Sequence, residues 1–256
     1  MSLEPVRHWT VARVHAVQAT AATAATPWHD HDHLILGMVD RGVRVIALRD
    51  ARFDVGAGQG FVLPAHVAHR CLDCGGVDYR VLCLDPPAPP TARPAWGRIA
   101  SPDWRAAFDR AFALAVGGEA DLAEALMALT ALAASIVGVL APSTALDPRP
   151  VRQARRDLLA DLAHGKTLRS LARSAGLSPF HLERLYLRCT GLTPRQQQTL
   201  ARLRQARTLL GEGAALSEAA AACGFADQSH LNRVFKRLMG VPPGRYRAQL
   251  RAETRD

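Results

Sequence analysis

Apolar positions recur with two different periods along this chain, and the change of period divides it. Before about residue 95 they come in short runs punctuated by Gly, Asp and Pro: Gly42-Val-Arg-Val-Ile-Ala-Leu48, Arg52-Phe-Asp-Val55, Gly60-Phe-Val-Leu-Pro64 and Tyr79-Arg-Val-Leu-Cys-Leu84. Evenly spaced short strands of this kind predict a sandwich or small barrel. Upstream, Val11, Arg13, His15 and Val17 alternate as an edge strand would, and the Ala/Thr run 19–26 reads as a loop. Past the Pro-rich stretch Pro86 to Pro94, a linker or extended arm, the period becomes helical. Trp104, Phe108, Ala111 and Phe112 share one face of a helix from Asp103 to Ala115, and Leu122, Leu126, Leu129, Ala133, Ile136 and Leu140 step by 4, 3, 4, 3 and 4. That heptad seam has two outlets: packing on the barrel, or pairing with its twin in a homodimer through Leu122, Leu126, Leu129, Ile136 and Leu140. Ala141 to Pro150, with three prolines and no periodicity, reads as a linker.

The last hundred residues are entirely helical in pattern, with clear start and stop signals. Val151 to Ala163 is an Arg-rich amphipathic helix ended by Gly165; Thr167 caps Leu168 to Ala175, and Gly176 turns the chain. Ser178 followed by Pro179 opens a helix to Arg188. The unit then repeats. Leu168, Leu171, Ala172, Ala175 and Gly176 recur 48 residues later as Leu216, Ala219, Ala220, Cys223 and Gly224. Leu182, Arg184, Leu185, Tyr186, Arg188 and Gly191 recur 49 later as Leu231, Arg233, Val234, Phe235, Arg237 and Gly240, one residue having been added in the second turn. Two short helices joined by a tight turn make a helix-turn-helix, and here there are two, the second helix of the later one capped by Asp227. Between them Thr193 and Pro194 begin a helix to about Leu210, roughly 25 Å long, a spacer that could hold two recognition helices in major grooves about 34 Å apart.

Charge sharpens this division. Residues 1–150 carry 13 Arg/Lys against 15 Asp/Glu and the remainder 19 against 8, so a nearly neutral first part at −2 precedes a second at +11. A basic helical domain points to a polyanion, nucleic acid first among them. Five cysteines with no signal peptide before them suit a reducing cytoplasm, and Cys71-Leu-Asp-Cys74 is a lone pair of thiols. The longest apolar candidate, Leu122 to Leu140, carries Glu124 and is mostly Ala, which argues against a membrane span.

Candidate chemistry gathers in Pro27-Trp-His-Asp-His-Asp-His-Leu-Ile-Leu-Gly37. In an extended strand His29, His31 and His33 would share one face and Asp30 and Asp32 the other. With Gly42, and with Gly60-Phe-Val-Leu-Pro64 leading to His66 and His69, this stretch resembles the cupin barrel. In metal-binding cupins paired His, a carboxylate and a later His surround an ion; the resemblance therefore implies an effector or metal site among His29, His31, His33, His66 and His69, and a divalent Ni, Zn, Co or Fe ion as its occupant. The carboxylate expected between Leu34 and Gly42 is missing, Asp40 being the only acid there. Imidazoles in that position would equally line a pocket or bond an organic effector.

The C-terminal repeat, with Gly224-Phe-Ala-Asp-Gln-Ser-His-Leu-Asn-Arg-Val-Phe-Lys-Arg237 and Gly240-Val-Pro-Pro-Gly-Arg-Tyr-Arg247, resembles the AraC/XylS family of transcriptional regulators from about residue 151 to 250. The resemblance implies a ligand-responsive, sequence-specific regulator of two domains: an N-terminal all-β cupin-like barrel (1–95) followed by a helical dimerisation or packing segment (96–140), a linker (141–150), and a C-terminal all-α double helix-turn-helix (151–256). It places DNA-reading positions at Phe180, His181, Glu183 and Arg184, and at Gln228, Ser229, Asn232 and Arg233. Arg suits guanine, Glu cytosine N4 and Phe a thymine methyl, while helix N-termini at Ser178 and Asp227 would receive phosphates. The partners implied are promoter DNA, a small-molecule or metal effector and RNA polymerase. A metal-dependent cupin enzyme carrying a DNA-binding tail, or a metalloregulator without turnover, are the competing readings.

Overall fold

The structure is a computed structural model that describes residues 6–11, 14–23, 25–49, 51–72, 75–84, 93–94, 96–118, 120–137, 139–140 and 148–253. The chain divides into two compact units, Met1–Thr144 and Ala145–Ala252, each built on its own core.

In the first unit six strands form one antiparallel sheet: β1 (Val6–Val11), β2 (Val14–Ala22), β8 (Val77–Leu84), β3 (Leu34–Arg41), β6 (Gly60–Leu63) and β10 (Gly97–Ile99), in that order. A smaller sheet has the order β5 (Arg52–Gly56), β4 (Val43–Leu48), β7 (His69–Leu72), and β9 (Arg93–Pro94) pairs with β11 (Val139–Leu140). Side chains alternate across a strand, so the large sheet has two apolar faces. Leu36, Met38, Val62, Leu82, Val14 and Ala16 lie on one; Ile35, Val39, Phe61, Leu63, Val81 and Cys83 lie on the other.

Each face has its own cover. The first packs beneath α1 (Pro102–Gly117) and α2 (Leu122–Val137) through Trp104, Phe108, Ala111, Phe112, Leu122, Ala125, Leu129 and Ala133. The second meets Ile46, Leu48, Val55 and Cys71 of the smaller sheet, closing a cupin-like interior. Gly60 is where helix and sheet touch: a Cβ there would lie 1.8 Å from the Trp104 indole nitrogen. Arg80 clamps the same junction, donating to Asp40 at 2.6 Å and Asp109 at 2.7 Å beside the rings of Phe108 and Phe112.

Several boundaries differ from the sequence reading. The β-structure extends past residue 95, because Gly97–Ile99 pairs with Val62–Gly60. The Ala/Thr run is strand as far as Ala22, held against β8. Helix α2 ends at Val137 and Leu140 belongs to β11, so the heptad seam stops short. Leu122 and Leu129 are buried against the unit's own sheet, which removes them from a dimer surface; among the described residues of α2, Met127 and Ile136 are the exposed large apolar side chains. The segment around His29–His33 is not a strand but an irregular corner between β2 and β3, tied to β7 and its approach by a bridge from His29 to His69 and by Thr26 N to Cys71 O and His66 N to His31 O, before β3 begins at Leu34. Cys74 and residues 86–92 and 141–147 lie outside the described residues.

Among the described residues the second unit has seven helices: α3 (Arg149–Ala160), α4 (Leu168–Ser174), α5 (Pro179–Thr190), α6 (Pro194–Gly211), α7 (Leu216–Ala222), α8 (Gln228–Met239) and α9 (Pro243–Glu253). Helix α3 thus begins inside the expected linker and stops three residues before Ala163. Val151, Ala154 and Leu158 of α3 share a core with Leu171, Ala172, Leu182 and Tyr186. The internal repeat is also a repeat of backbone conformation: Gly176 and Gly224 turn with φ of 69° and 74°, and Gly191 and Gly240 end α5 and α8 with φ of 75° and 77°. After each turn one amide reaches back across it, Leu177 to Ala172 O and Phe225 to Ala220 O.

The two turns differ in crowding. A Cβ on Gly176 would meet nothing within 4 Å, whereas on Gly224 it would lie 2.2 Å from Ala163 O and 2.5 Å from Leu162 O. Gly176→Ala is therefore expected to cost only the left-handed backbone penalty, about 1–2 kcal/mol. Gly224→Ala should cost distinctly more, because backbone must move; urea unfolding of both variants, followed by helical circular dichroism, measures the difference.

Candidate nucleic-acid interface and ligand site

The second helix of each repeat shows one apolar and one polar face. In α5 Leu182 and Tyr186 are buried while Phe180, His181 and Arg184 are exposed, Phe180 to 69%. In α8 Leu231, Val234 and Phe235 are buried; Gln228, Ser229 and Arg233 are exposed and Asn232 half-buried. Ser178 and Asp227 cap the two helices by accepting from His181 N and His230 N. The Arg184 guanidinium lies 5.4 Å from the Phe180 ring centroid, so these two neighbours already share one exposed surface. Glu183 is half-buried and lines a cleft of about 270 Å³ with Lys166, Thr167, Pro194, Arg195 and Gln198.

Between the repeats, α6 is capped by Thr193 in a capping box with Gln196 and runs 18 residues, about 27 Å. It is anchored to the first repeat by the buried Tyr186 hydroxyl, which donates to Gln197 Oε1 at 2.8 Å. Towards the second repeat, Arg202 Nε donates to Leu162 O at 2.8 Å, and the same guanidinium would lie 2.8 Å from a Cβ on Gly224. Arg202 thus joins the end of α3, the spacer and the second turn. Sequence inspection missed it, since an Arg in an Arg-rich helix carries no distinguishing signal.

In the β-unit three of the five expected histidines come together. Nitrogens of His29, His31 and His69 lie within 4.8 Å of one another, with ring centroids 4.4–5.1 Å apart. The corner is laced to β7 and its approach by backbone bonds: His29 and His69 exchange N–H···O bonds of 2.9 and 2.8 Å, and His66 N donates to His31 O at 2.6 Å. His29 Nδ1 lies 2.8 Å from Pro27 O and His69 Nδ1 lies 2.9 Å from Val67 O. A carbonyl can only accept, so both rings carry a proton on Nδ1. Burial first, then the neighbouring His29, pushes the His69 pKa down to about 3, which keeps that ring neutral.

His33 and His66 do not join this group. His33 Nε2 lies 3.0 Å from Asp32 Oδ1, and His66, exposed with φ of 63°, has Nδ1 3.9 Å from Asp30 Oδ2. The physical reason is the corner: without strand geometry the i, i+2, i+4 rule lapses, and His69 of β7 takes the third place. Asp40 is engaged by Arg80 and belongs to the sheet-helix junction. Two further polar features went unnoticed in the sequence. His8 and His15 form a buried pair at 3.0 Å across the β1–β2 hairpin. Arg44, in register with Ile46 and Leu48 of β4, points inward; an arginine at an inward position of an alternating strand was the available signal.

Two helix-turn-helix units on one rigid spacer, alongside a β-unit with polar groups facing its interior, define a DNA-binding protein that carries its own ligand-binding domain. Residues 13–136 match the family model for the AraC-like ligand binding domain, and residues 171–249 match that for the helix-turn-helix domain. Over 225 residues the chain is 26% identical to the uncharacterized HTH-type transcriptional regulator YbfI of Bacillus subtilis (strain 168), which spans 80% of this chain and 81% of that protein. The bifunctional transcriptional activator/DNA repair enzyme Ada of Escherichia coli (strain K12) is 35% identical over 81 residues, 32% of this chain and 23% of that one. The crystal structure of ToxT from Vibrio cholerae O395 shares the fold, with a TM-score of 0.55 and 12% identity over 96% of this chain and 98% of the other. The chain belongs to the AraC/XylS family of transcriptional regulators. No helix among the described residues is long and apolar enough to cross a membrane.

The buried Tyr186–Gln197 bond gives a direct test of how the first repeat is fastened to the spacer. Tyr186→Phe leaves the Gln197 carbonyl without its donor in the interior and is expected to cost about 1–3 kcal/mol, read as a lowered urea midpoint at unchanged helical content.

Proposed function

We propose that this regulator lays α5 and α8 in two successive major grooves on one side of the duplex. Phe180, His181, Glu183 and Arg184 would face bases in the first, and Gln228, Ser229, Asn232 and Arg233 in the second. The observation that carries this reading is the duplicated geometry: the same turn, the same left-handed cap and the same division of buried and exposed positions, joined by a spacer of fixed length. Arginine at Arg184 and Arg233 suits bidentate contact with guanine, and the exposed Phe180 ring suits a thymine methyl. The capped N-termini favour phosphate nearby, and the +11 charge of the C-terminal part supplies the non-specific share of the affinity. The protein acts on promoter DNA in the cytoplasm, without catalytic turnover.

The β-unit senses, and one observation favours a transition-metal ion as the signal or part of it. Nε2 of His29 and His69, both turned inward by carbonyl-bound Nδ1, together with one nitrogen of His31, form a three-donor set of the kind that suits Zn, Ni, Co or Fe. Tetrahedral bonds of about 2.1 Å need donors roughly 3.4 Å apart, so a modest closure of rings now within 4.8 Å would complete the site. With Asp40 committed to Arg80, the remaining coordination positions fall to water or to an effector. A signal that binds one conformation more tightly than another would shift how the reading helices sit on DNA.

Selection of binding sites from random DNA tests the first reading. The full-length chain should enrich two short sequence blocks one helical turn apart at a single spacing. Arg184→Ala should relax one base of one block and Arg233→Ala one base of the other, each at about 1–3 kcal/mol on the right site. Arg202→Met should leave both blocks intact while admitting more than one spacing; a single unblocked motif from the unmodified protein would overturn the two-groove reading. For the metal, elemental analysis after equilibration with Zn, Ni or Co should find one ion per chain, lost in His69→Ala, with DNA affinity changed by the ion only in the unmodified protein. Metal-free protein, or equal metal in His69→Ala, refutes it.

A further inference from the structure

The internal repeat of the helical unit runs further than its turns, and its two halves are not equivalent. Continued at the same offsets, it sets Lys166 against Ala214, Arg195 against Gly244 and Gln198 against Arg247. The structure keeps this pairing. Tyr186 and Gln197, hydrogen-bonded in the first half, correspond to Phe235 and Tyr246, whose rings lie 5.3 Å apart in the second. In the first half the extended repeat surrounds the cleft of about 270 Å³ between the start of α4, α5 and the start of α6. Lys166 and Arg195 stand exposed at this cleft, with half-buried Glu183 also lining it. Neither cation forms an ion pair among the described residues. Asp161 lies within the electrostatic reach of Lys166, but its carboxylate is hydrogen-bonded to His164.

The two cations come from separate segments, yet their backbones are fixed to each other. A Cβ on Gly165 would lie 2.6 Å from the Arg202 guanidinium and 2.7 Å from the Gln198 amide nitrogen, so the loop carrying Lys166 is packed directly on the helix carrying Arg195. The bond from Arg202 Nε to Leu162 O holds the same loop. The second half is built differently. Ala214 and Gly244 bring no charge to the corresponding places, and Arg247 turns back to donate to Ala214 O at 3.0 Å. Two cations and one carboxylate leave the first cleft with a single net positive charge. A phosphodiester carries one negative charge and two free oxygens, one for the ammonium and one for the guanidinium. A phosphomonoester dianion would leave negative charge in excess beside Glu183. The cleft also adjoins the reading surface of α5, since Glu183 precedes the exposed Arg184.

We infer that this cleft seats one backbone phosphate of the DNA strand flanking the groove read by α5, with Lys166 and Arg195 as its donors, and that the second reading head has no matching seat. The inference rests on α5 lying in a major groove. It makes the two heads unequal. The first is held to the backbone from its flank, which fixes its register on the duplex. The second depends on α8 itself, where Arg233, Lys236 and Arg237 are exposed.

The test titrates the full chain on its selected duplex, with a neutral methylphosphonate replacing one backbone phosphate at a time. One linkage flanking the block that Arg184→Ala relaxes should weaken the unmodified protein roughly tenfold. The same linkage should make no difference to Arg195→Gln. The matching linkage beside the other block should leave affinity unchanged. Lys166→Gln and Arg195→Gln should each weaken selected and random DNA by a similar factor, enrich the same two blocks, and lower the slope of log affinity against log salt by about 0.9. Unmodified protein without salt-dependent DNA binding sinks the DNA reading itself. Intact DNA binding with unchanged affinity and slope in both variants overturns the phosphate seat alone. An equal loss at the matching linkage beside the second block overturns the inequality of the heads, and an altered block in either variant would make these residues base readers and overturn the assignment. Both side chains are exposed, so folded variants are expected, checked by helical circular dichroism. If one fails to fold, the linkage scan on the unmodified chain decides.

Discussion

The close approach of Gly224 to the carbonyls of Leu162 and Ala163 is the contact on which the C-terminal unit depends. Any side chain at that position would push the second turn away from the loop that ends α3. Because glycine lets backbone meet backbone there, Arg202 can lie beside the same spot and donate to Leu162 O. The loop after α3, the spacer helix and the second reading head are thereby one body. At the other end of the spacer a single buried hydrogen bond, Tyr186 to Gln197, does the corresponding work. The distance between α5 and α8 is set by these fastenings together with the length of α6, a helix being stiff over its 18 residues.

The β-unit solves a different problem, that of a sheet apolar on both faces. Period-two alternation leaves no polar side for water, so α1 and α2 cover one face and the β5–β4–β7 sheet covers the other. A closed interior of this type normally excludes polar groups. His29, His69 and Arg44 are admitted, and each is constrained differently: the two imidazoles by backbone carbonyls that dictate their tautomer, the guanidinium by an aromatic face. Arg80, by contrast, meets two carboxylates and clamps helix to sheet.

Local patterns carried much of this into the sequence. Thr167, Ser178, Thr193 and Asp227 were readable as helix caps, and all four accept the expected backbone N–H. Gly176 and Gly224 were readable as turns because only glycine takes that backbone readily. Where the second repeat lacks a cap side chain, at Ala215, Glu218 supplies the bond to its amide. The histidines were legible as a set and illegible as a site. His33 satisfied the strand periodicity yet turns to Asp32, and His69 entered through a pairing between residues forty apart. Leu122 and Leu129 were legible as an apolar seam, but nothing in their spacing distinguishes a sheet from a second helix as the surface they cover.

Taken by itself, then, the amino-acid order determined what depends on neighbours a few residues apart: the helices and their caps, the duplicated turn, the alternation of the strands and the concentration of positive charge in the last hundred residues. Tertiary structure alone decided which side chains from distant strands share a space. It brought His69 to His29 and His31, stacked Arg44 on Tyr79, joined Gly97–Ile99 to the sheet and laid Arg202 against Leu162. The reason is physical. Propensity and periodicity act along the chain, whereas the chemistry of a site depends on register and on corners, where a shift of one residue reverses which way every side chain points.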